Sequence, residues 1–340
     1  MRRGLQPAIL LTGVAALALS LNSSCVYYVG GRGMMARYER ELPLSALLET
    51  GSSFSAETRD GSITVEGGHT AECEVLATIT GYARTPERAQ ELAEQIDVRL
   101  EPSGGGLKVV IEKPLSIRNV SYDVSLAAQV PTETSLTLVT SDGSVRIANI
   151  TGNIDARTSD GGIDVQDIKG DTRLKTSDGS IACARLEAQT LDLHTSDGRI
   201  TLSDVTAASC TARTSDGGIT LENARGDNIG LRTSDGAIRC RNITAARLDC
   251  HTSDGSIQIE YAPDAPKALN VSATTSDSNI HLAAPAGLSA VVEATTGDGS
   301  IQTFLPITVQ GKIGKSLTGT VGDGEGRVYL KTQDGSITIR

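Results

Sequence analysis

The chain has 340 residues, with 36 Gly, 10 Pro, 2 Phe and no Trp, and a formal net charge of −10. So little aromatic bulk excludes a wide globular core, and the length suits an elongated body better than two compact domains. The acidic balance excludes non-specific binding to nucleic acid, which needs Lys and Arg in clustered excess.

Residues 1–25 read as an export signal. Arg2 and Arg3 supply positive charge, residues 5–21 form a mostly apolar run, and Ser23 and Ser24 precede Cys25. This arrangement resembles a bacterial lipoprotein signal, which implies a lipidated Cys25 and an extracytoplasmic protein in the cell envelope, anchored in the membrane on the outer surface or in the periplasm. Residues 26–37, rich in Tyr and Gly without a period, read as a tether. Residues 38–130 form an N-terminal β-rich region with one helix over 85–97. Thr85 is its cap, Pro86 its first position, and Ala89, Leu92, Ala93 and Ile96 its apolar stripe. The helix is expected to cover the open end of a stack of repeats. Strands are expected at 98–100, 107–111 and 122–130.

Residues 131–262 are a repeat. The turn Thr-Ser-Asp-Gly recurs with its Asp at Asp142, Asp160, Asp178, Asp197, Asp216, Asp235 and Asp254, in steps of 18, 18, 19, 19, 19 and 19 residues. Looser copies stand at Asp60, Asp277, Asp298 and Asp334. Counted from each Asp, position +3 holds Val145, Ile163, Ile181, Ile200, Ile219, Ile238 and Ile257, and +5 is also apolar. Positions −6 and −4 repeat the alternation, so each unit holds two short strands with one buried face each. A further apolar column at +8 changes parity, which requires a bend between +5 and +8. One unit cannot bury enough to offset its own ordering, so units must stack. Asp-Gly between alternating strands also signals hairpins. Hairpins side by side would leave an apolar face with no second layer, whereas coils enclose it. The reading is an all-β protein, a parallel β-solenoid of 18–19-residue coils, with one short helix in a strand-rich N-terminal capping region.

Across residues 263–340 the steps lengthen to 23, 21 and 36, and Pro263, Pro266, Pro285 and Pro306 interrupt the pattern. These residues read as irregular C-terminal coils and a cap, with the Asp334 copy as the last unit.

Stacked coils align the seven turn aspartates in a column. Their expected role is structural, each carboxylate accepting N–H and hydroxyl bonds within its own turn. Calcium between turns is the sharper alternative, but one Asp per coil supplies few of the six to eight oxygens needed. At −3 stand Arg157, Lys175, His194, Arg213, Arg232 and His251, two residues from Asp155, Asp192 and Asp249. The plain reading of these six is solvated charge; the functional one is a ladder that grips a periodic polyanion or acidic glycan. No Ser/His/Asp or Cys/His grouping emerges from the spacing, and no CxxC pattern suggests a metal, so neither an enzyme nor a cofactor is expected. Cys183, Cys210, Cys240 and Cys250 fall in apolar columns, with a Cys240–Cys250 disulfide open to an exported protein.

The run from Tyr122 through Val124, Leu126 and Pro131, then Leu136-Thr137-Leu138 and the repeated Thr-Ser-Asp-Gly-Ser-Ile, resembles the bacterial adhesin-like family with repeated Ser-(Asn/Asp)-Gly turns, related to the autotransporter-adhesin head domain group. That resemblance covers most of residues 55–340. It implies an extracytoplasmic β-solenoid, often behind a signal or anchor, and transfers no catalytic residue. The expected function is therefore a non-catalytic, envelope-anchored adhesin-like surface. Its partner would be a surface glycan, a cell-envelope polymer or another envelope protein. A carbohydrate-active β-helix enzyme and a purely structural spacer are the alternatives.

Overall fold

The computed structural model describes residues 35–113, 121–309 and 314–340. The signal, Cys25 and all but the end of the expected tether lie outside the described residues. No helix among the described residues is long and apolar enough to cross a membrane.

Twenty-five strands and one helix are described, and the central strands are parallel and in register. At +3, Val145 pairs with Ile163, then Ile181, Ile200, Ile219, Ile238 and Ile257 in unbroken succession. At −6, Leu136, Ile154, Thr172, Leu191, Cys210, Ile229 and Leu248 do the same. Both rows are buried, and their apolar members belong to one continuous core. Parallel coils, rather than hairpins, are the architecture.

The bend between +5 and +8 has a local cause. Position +7 is held by Asn149, Asp167, Arg185, Asp204, Asn223 and Asn242, all in the left-handed region with φ between 54° and 60°. One left-handed residue shifts the side-chain alternation, which lets +5 and +8 both face inward, and Asn and Asp adopt that conformation at least cost among non-glycines.

The Thr-Ser-Asp-Gly turn works differently from its expected role. Its Thr points inward and is buried. The Thr214 hydroxyl lies 3.0 Å from the carbonyl oxygens of both Ser196 and Gly198 in the preceding coil, and accepts the Gly217 N–H at 3.3 Å. The same bonds to the preceding coil recur at Thr158, Thr176, Thr195, Thr233 and Thr252. Thr is thus the staple between coils, satisfying polar groups that burial would otherwise penalise. Gly is required by close approach: a Cβ on Gly217 would sit 1.9 Å from the Gly198 oxygen. The Asp backbone N–H donates to the preceding coil, as from Asp197 to the Ser177 carbonyl at 3.0 Å. The carboxylates of Asp142, Asp160, Asp178, Asp197, Asp216, Asp235 and Asp254 are exposed and make no side-chain hydrogen bond among the described residues. The expected own-turn carboxylate bonds are therefore absent, because the Ser and Asp N–H groups donate to the neighbouring coil and the Gly N–H donates to the Thr hydroxyl of its own turn.

Both ends depart from sequence order. The Asp60 coil (Ser53–Glu57 and Ile63–Gly68) stacks between the Asp142 coil and a coil made by Gly106–Glu112 and Ser121–Pro131. At the other end the Asp334 coil (Gly326–Lys331 and Ile337–Ile339) inserts between the coils of Asp277 and Asp298. The Asp334 copy is therefore an internal unit. The outer position falls to the Asp298 coil and to Ser316–Val321, which runs antiparallel against Ala290–Thr295. Antiparallel strands finish the N-terminal end as well, where Ala36–Leu47 pairs with Glu72–Ala83 and that with Ser121–Pro131. The first of these strands begins inside the stretch expected as tether, with Ala36 buried opposite Ala83.

The helix α1 spans Pro86–Glu94, three residues short of the expected end, because Asp97 already opens the strand Asp97–Ser103. Thr85 Oγ1 accepts the Arg88 N–H at 3.3 Å, and Arg40 donates to the carbonyls of Glu94 and Ile96 at 3.4 Å, placing a cation at the helix C-terminus. Ala89, Leu92 and Ala93 are buried, against the strands Glu72–Ala83 and Ala36–Leu47.

Candidate functional site

Residues at −3 leave each strand on the outer side, since −4 and −6 point into the core. Strand register then fixes their geometry. Arg157 is opposite Lys175, Lys175 opposite His194, and the row continues through Arg213 and Arg232 to His251. Six side chains from six coils thus form one line along the stack, all exposed. At roughly 4.8 Å per strand the line extends about 24 Å.

The −5 row runs beside it: Asp155, Arg173, Asp192, Thr211, Gly230 and Asp249. Arg157 Nη2 donates to Asp155 Oδ2 at 2.7 Å within one strand. Asp192 lies between two guanidiniums, 3.3 Å from Arg173 below and 3.7 Å from Arg213 above. Arg232 reaches Asp249 of the next coil at 3.4 Å, and His251 Nδ1 lies 2.7 Å from the Thr274 hydroxyl. Lys175 and His194 have no ion-pair partner among the described residues. Across the two rows, five Arg or Lys side chains face three carboxylates, a local positive excess on an acidic chain. Exposed pairs of this kind hold little energy individually, so the guanidiniums remain free to exchange partners with a ligand.

Two features of this face were not evident from spacing. Arg173 sits at −5, where the neighbouring coils carry Asp, and completes the Asp192 bracket. The −3 row also continues past His251 through Thr274 to Lys331, because the Asp334 coil inserts there. A third line, at +7, combines the left-handed backbone with side-chain bonds: Arg185 grips Asp167 at 2.7 and 2.8 Å, and Asn242 donates to Asn223, which donates to Asp204. The Arg185 guanidinium holds the Asp167 carboxyl below the usual carboxylate range. The recurrent Asn or Asp at +7 was the available signal for this line.

The seven turn aspartates occupy a different corner from the cation row, and no group of three or more metal-ligating side chains occurs among the described residues. The cysteines Cys73, Cys183, Cys210, Cys240 and Cys250 are buried free thiols. Burial pushes Cys73 and Cys210 up to about 12. Cys240 and Cys250 are both buried in the core as free thiols, without the disulfide left open by the sequence.

A family model described as Toastrack DUF4097 matches residues 170–340. Three crystal structures are similar, each under a provisional name. A cell adhesion protein from Clostridium sporogenes is 8% identical, with 88% of this chain and 99% of that chain covered at a TM-score of 0.21. An adhesin from Bacteroides fragilis is 15% identical, with 88% and 97% covered at 0.34. A lipid binding protein from Parabacteroides distasonis is 16% identical, with 91% and 98% covered at 0.36. Superposition at these scores carries no functional information. Among curated proteins none matches the chain.

Proposed function

The chain belongs to the Toastrack DUF4097 family, and from that premise we propose that it is a non-catalytic, adhesin-like surface whose cation row binds a linear polyanion of the cell envelope, such as an acidic glycan. The observation that carries this reading is the register: Arg157, Lys175, His194, Arg213, Arg232 and His251 form one line with a fixed step. A repeating ligand laid along the stack meets a repeating set of donors, and multivalent engagement raises affinity without any single strong contact. Guanidiniums suit carboxylate and phosphate groups because their donors form a planar fork.

The test is binding of the purified full chain to an array of acidic and neutral glycans and cell-wall polymers, beside the variant Arg213→Ala/Arg232→Ala. Binding confined to acidic members, falling at least tenfold in the variant, is the expected result. Equal binding by the variant would exclude the row as the binding surface, and no binding to any polymer would leave a spacer.

We further propose that residues 1–25 export the protein and that Cys25 carries the lipid that holds it in the envelope. Two lipid-independent alternatives, simple cleavage and an uncleaved signal, are separated by one measurement. Lipidation predicts that the protein partitions into the detergent phase in a Triton extraction and that Cys25→Ser moves it to the aqueous phase. Unchanged partitioning of Cys25→Ser would refute it.

A further inference from the structure

The inserted Asp334 coil builds a surface that sequence order would not have made. If coils had stacked in order, Asn270 and Ser272 of the Asp277 coil would lie beside Val291 and Glu293 of the Asp298 coil. Instead the strand Gly326–Lys331 occupies that place, and the neighbours are Arg327 and Tyr329. On the other side the same residues pair with Arg247 and Asp249. An apolar side chain and a carboxylate are thereby exchanged for a guanidinium and a phenol.

The outcome is a groove of about 540 Å³, with Arg247, Asn270 and Arg327 along one row and Asp249, Ser272 and Tyr329 along the next. Two strand steps separate Arg247 from Arg327, roughly 9.6 Å between their backbones. The small Asn270 and Ser272 form the floor between them. Asp249 is paired with Arg232 at 3.4 Å, and Glu293 pairs with Arg327 itself at 3.0 Å, an exposed pair that a ligand carboxylate would displace. Arg247 is exposed and has no ion-pair partner among the described residues.

We propose that this groove binds a short carboxylated saccharide. Arg247 and Arg327 present guanidinium forks to carboxylates on either side, Asn270 and Ser272 offer hydrogen bonds to ring hydroxyls, and Tyr329 supplies an apolar ring face with a polar tip. The groove is shallow and open, so a saccharide would lie along it with one face in solvent. Net charge does not oppose this, because at physiological salt the distant carboxylates are screened over about 8 Å. The groove adjoins the end of the six-residue row and meets it through the Arg232–Asp249 pair, so the control variant leaves Arg232 in place.

A trigalacturonate, too short to span the row, is the probe, with its fully methyl-esterified form as the uncharged control. Titration of the full chain is expected to show binding of the acid that weakens about tenfold on esterification and about tenfold in each of Arg247→Gln and Arg327→Gln, the effect of losing one charge-assisted contact. Arg157→Ala/Arg213→Ala, which keeps the Arg232–Asp249 pair, should retain trigalacturonate binding. Equal affinity for the ester would overturn the carboxylate assignment. Loss in Arg157→Ala/Arg213→Ala with none in the groove variants would overturn the groove while leaving the row intact, and no binding of the trimer would also overturn it. All four replaced arginines are exposed, and an unchanged thermal midpoint checks that the fold survives.

Discussion

Gly198→Ala in the middle of the stack is expected to destabilise its own coil and both neighbours by about 3 kcal/mol or more, at or beyond the upper end of overpacking costs. The added methyl would stand 1.9 Å from the Gly179 oxygen and 2.4 Å from its carbonyl carbon, both backbone atoms of the coil below. No side-chain rotation relieves such a contact, so the coils must separate, and separation breaks the bonds between the Thr195 hydroxyl and the Ser177 and Gly179 carbonyls. The chain holds one natural instance of a larger residue at this place, Ser278 of the Asp277 coil. There Thr275 keeps its bonds to the Ser253 and Gly255 carbonyls. Its bond from the residue 278 N–H, the counterpart of Gly198 N–H to Thr195 at 3.2 Å, is missing. The same bond is missing at Gly143, and the Ser278 hydroxyl donates to the Asp254 carbonyl of the coil below at 2.5 Å. Hydrogen exchange resolved by coil is the measurement: loss of protection centred on residues 179–217 is expected, and protection equal to the unsubstituted protein would contradict the close-packed turn.

Removing residues 324–340 is expected to have the second large effect, because it takes out an internal coil. Val328, Leu330, Ile337 and Ile339 are buried. At roughly 1.5–3 kcal/mol each they represent about 6–12 kcal/mol, an upper estimate because unfolded chains already bury some surface. The Asp298 coil would lose its only parallel neighbour among the described residues, and Ala290–Thr295 would keep just its antiparallel partner. Exchange protection should therefore disappear across 263–323, while the coils from Asp142 to Asp235 remain protected, since a solenoid is stabilised by nearest neighbours. Stacking in sequence order would predict the opposite pattern, with fraying limited to the new terminus.

Most of the coil was legible in the sequence because it repeats. The apolar columns at +3, +5 and −6 defined which faces turn inward, and their change of parity at +8 required the bend that Asn149, Asp167 and their counterparts supply. Two matters were not legible. The turn motif showed Asp and Gly as its signature, whereas the bonds are made by Thr; a polar residue in the apolar alternation was the clue, and it reads equally well as a solvent-facing turn residue. The order of coils at the ends was hidden for a different reason. Steps of 21 to 36 residues, broken by proline, can deliver the next strand to either side of its predecessor, and nothing local in the Asp334 repeat records which side. The cation row was visible in the spacing as far as His251. Its extension to Lys331 and the groove between Arg247 and Arg327 were invisible, since both depend on that hidden order.

Whether a ligand reads the −3 row as a line of fixed length is tested most directly by titrating the full chain with a size series of a single uniform polyanion at two salt concentrations. Affinity is expected to rise with oligomer length until the ligand spans about 24 Å to His251, or about 34 Å where it reaches Lys331, to level off beyond that, to fall at higher salt, and to lose its length dependence in Arg213→Ala/Arg232→Ala. Affinity independent of length, or a length dependence that survives the double substitution, would contradict recognition by the row.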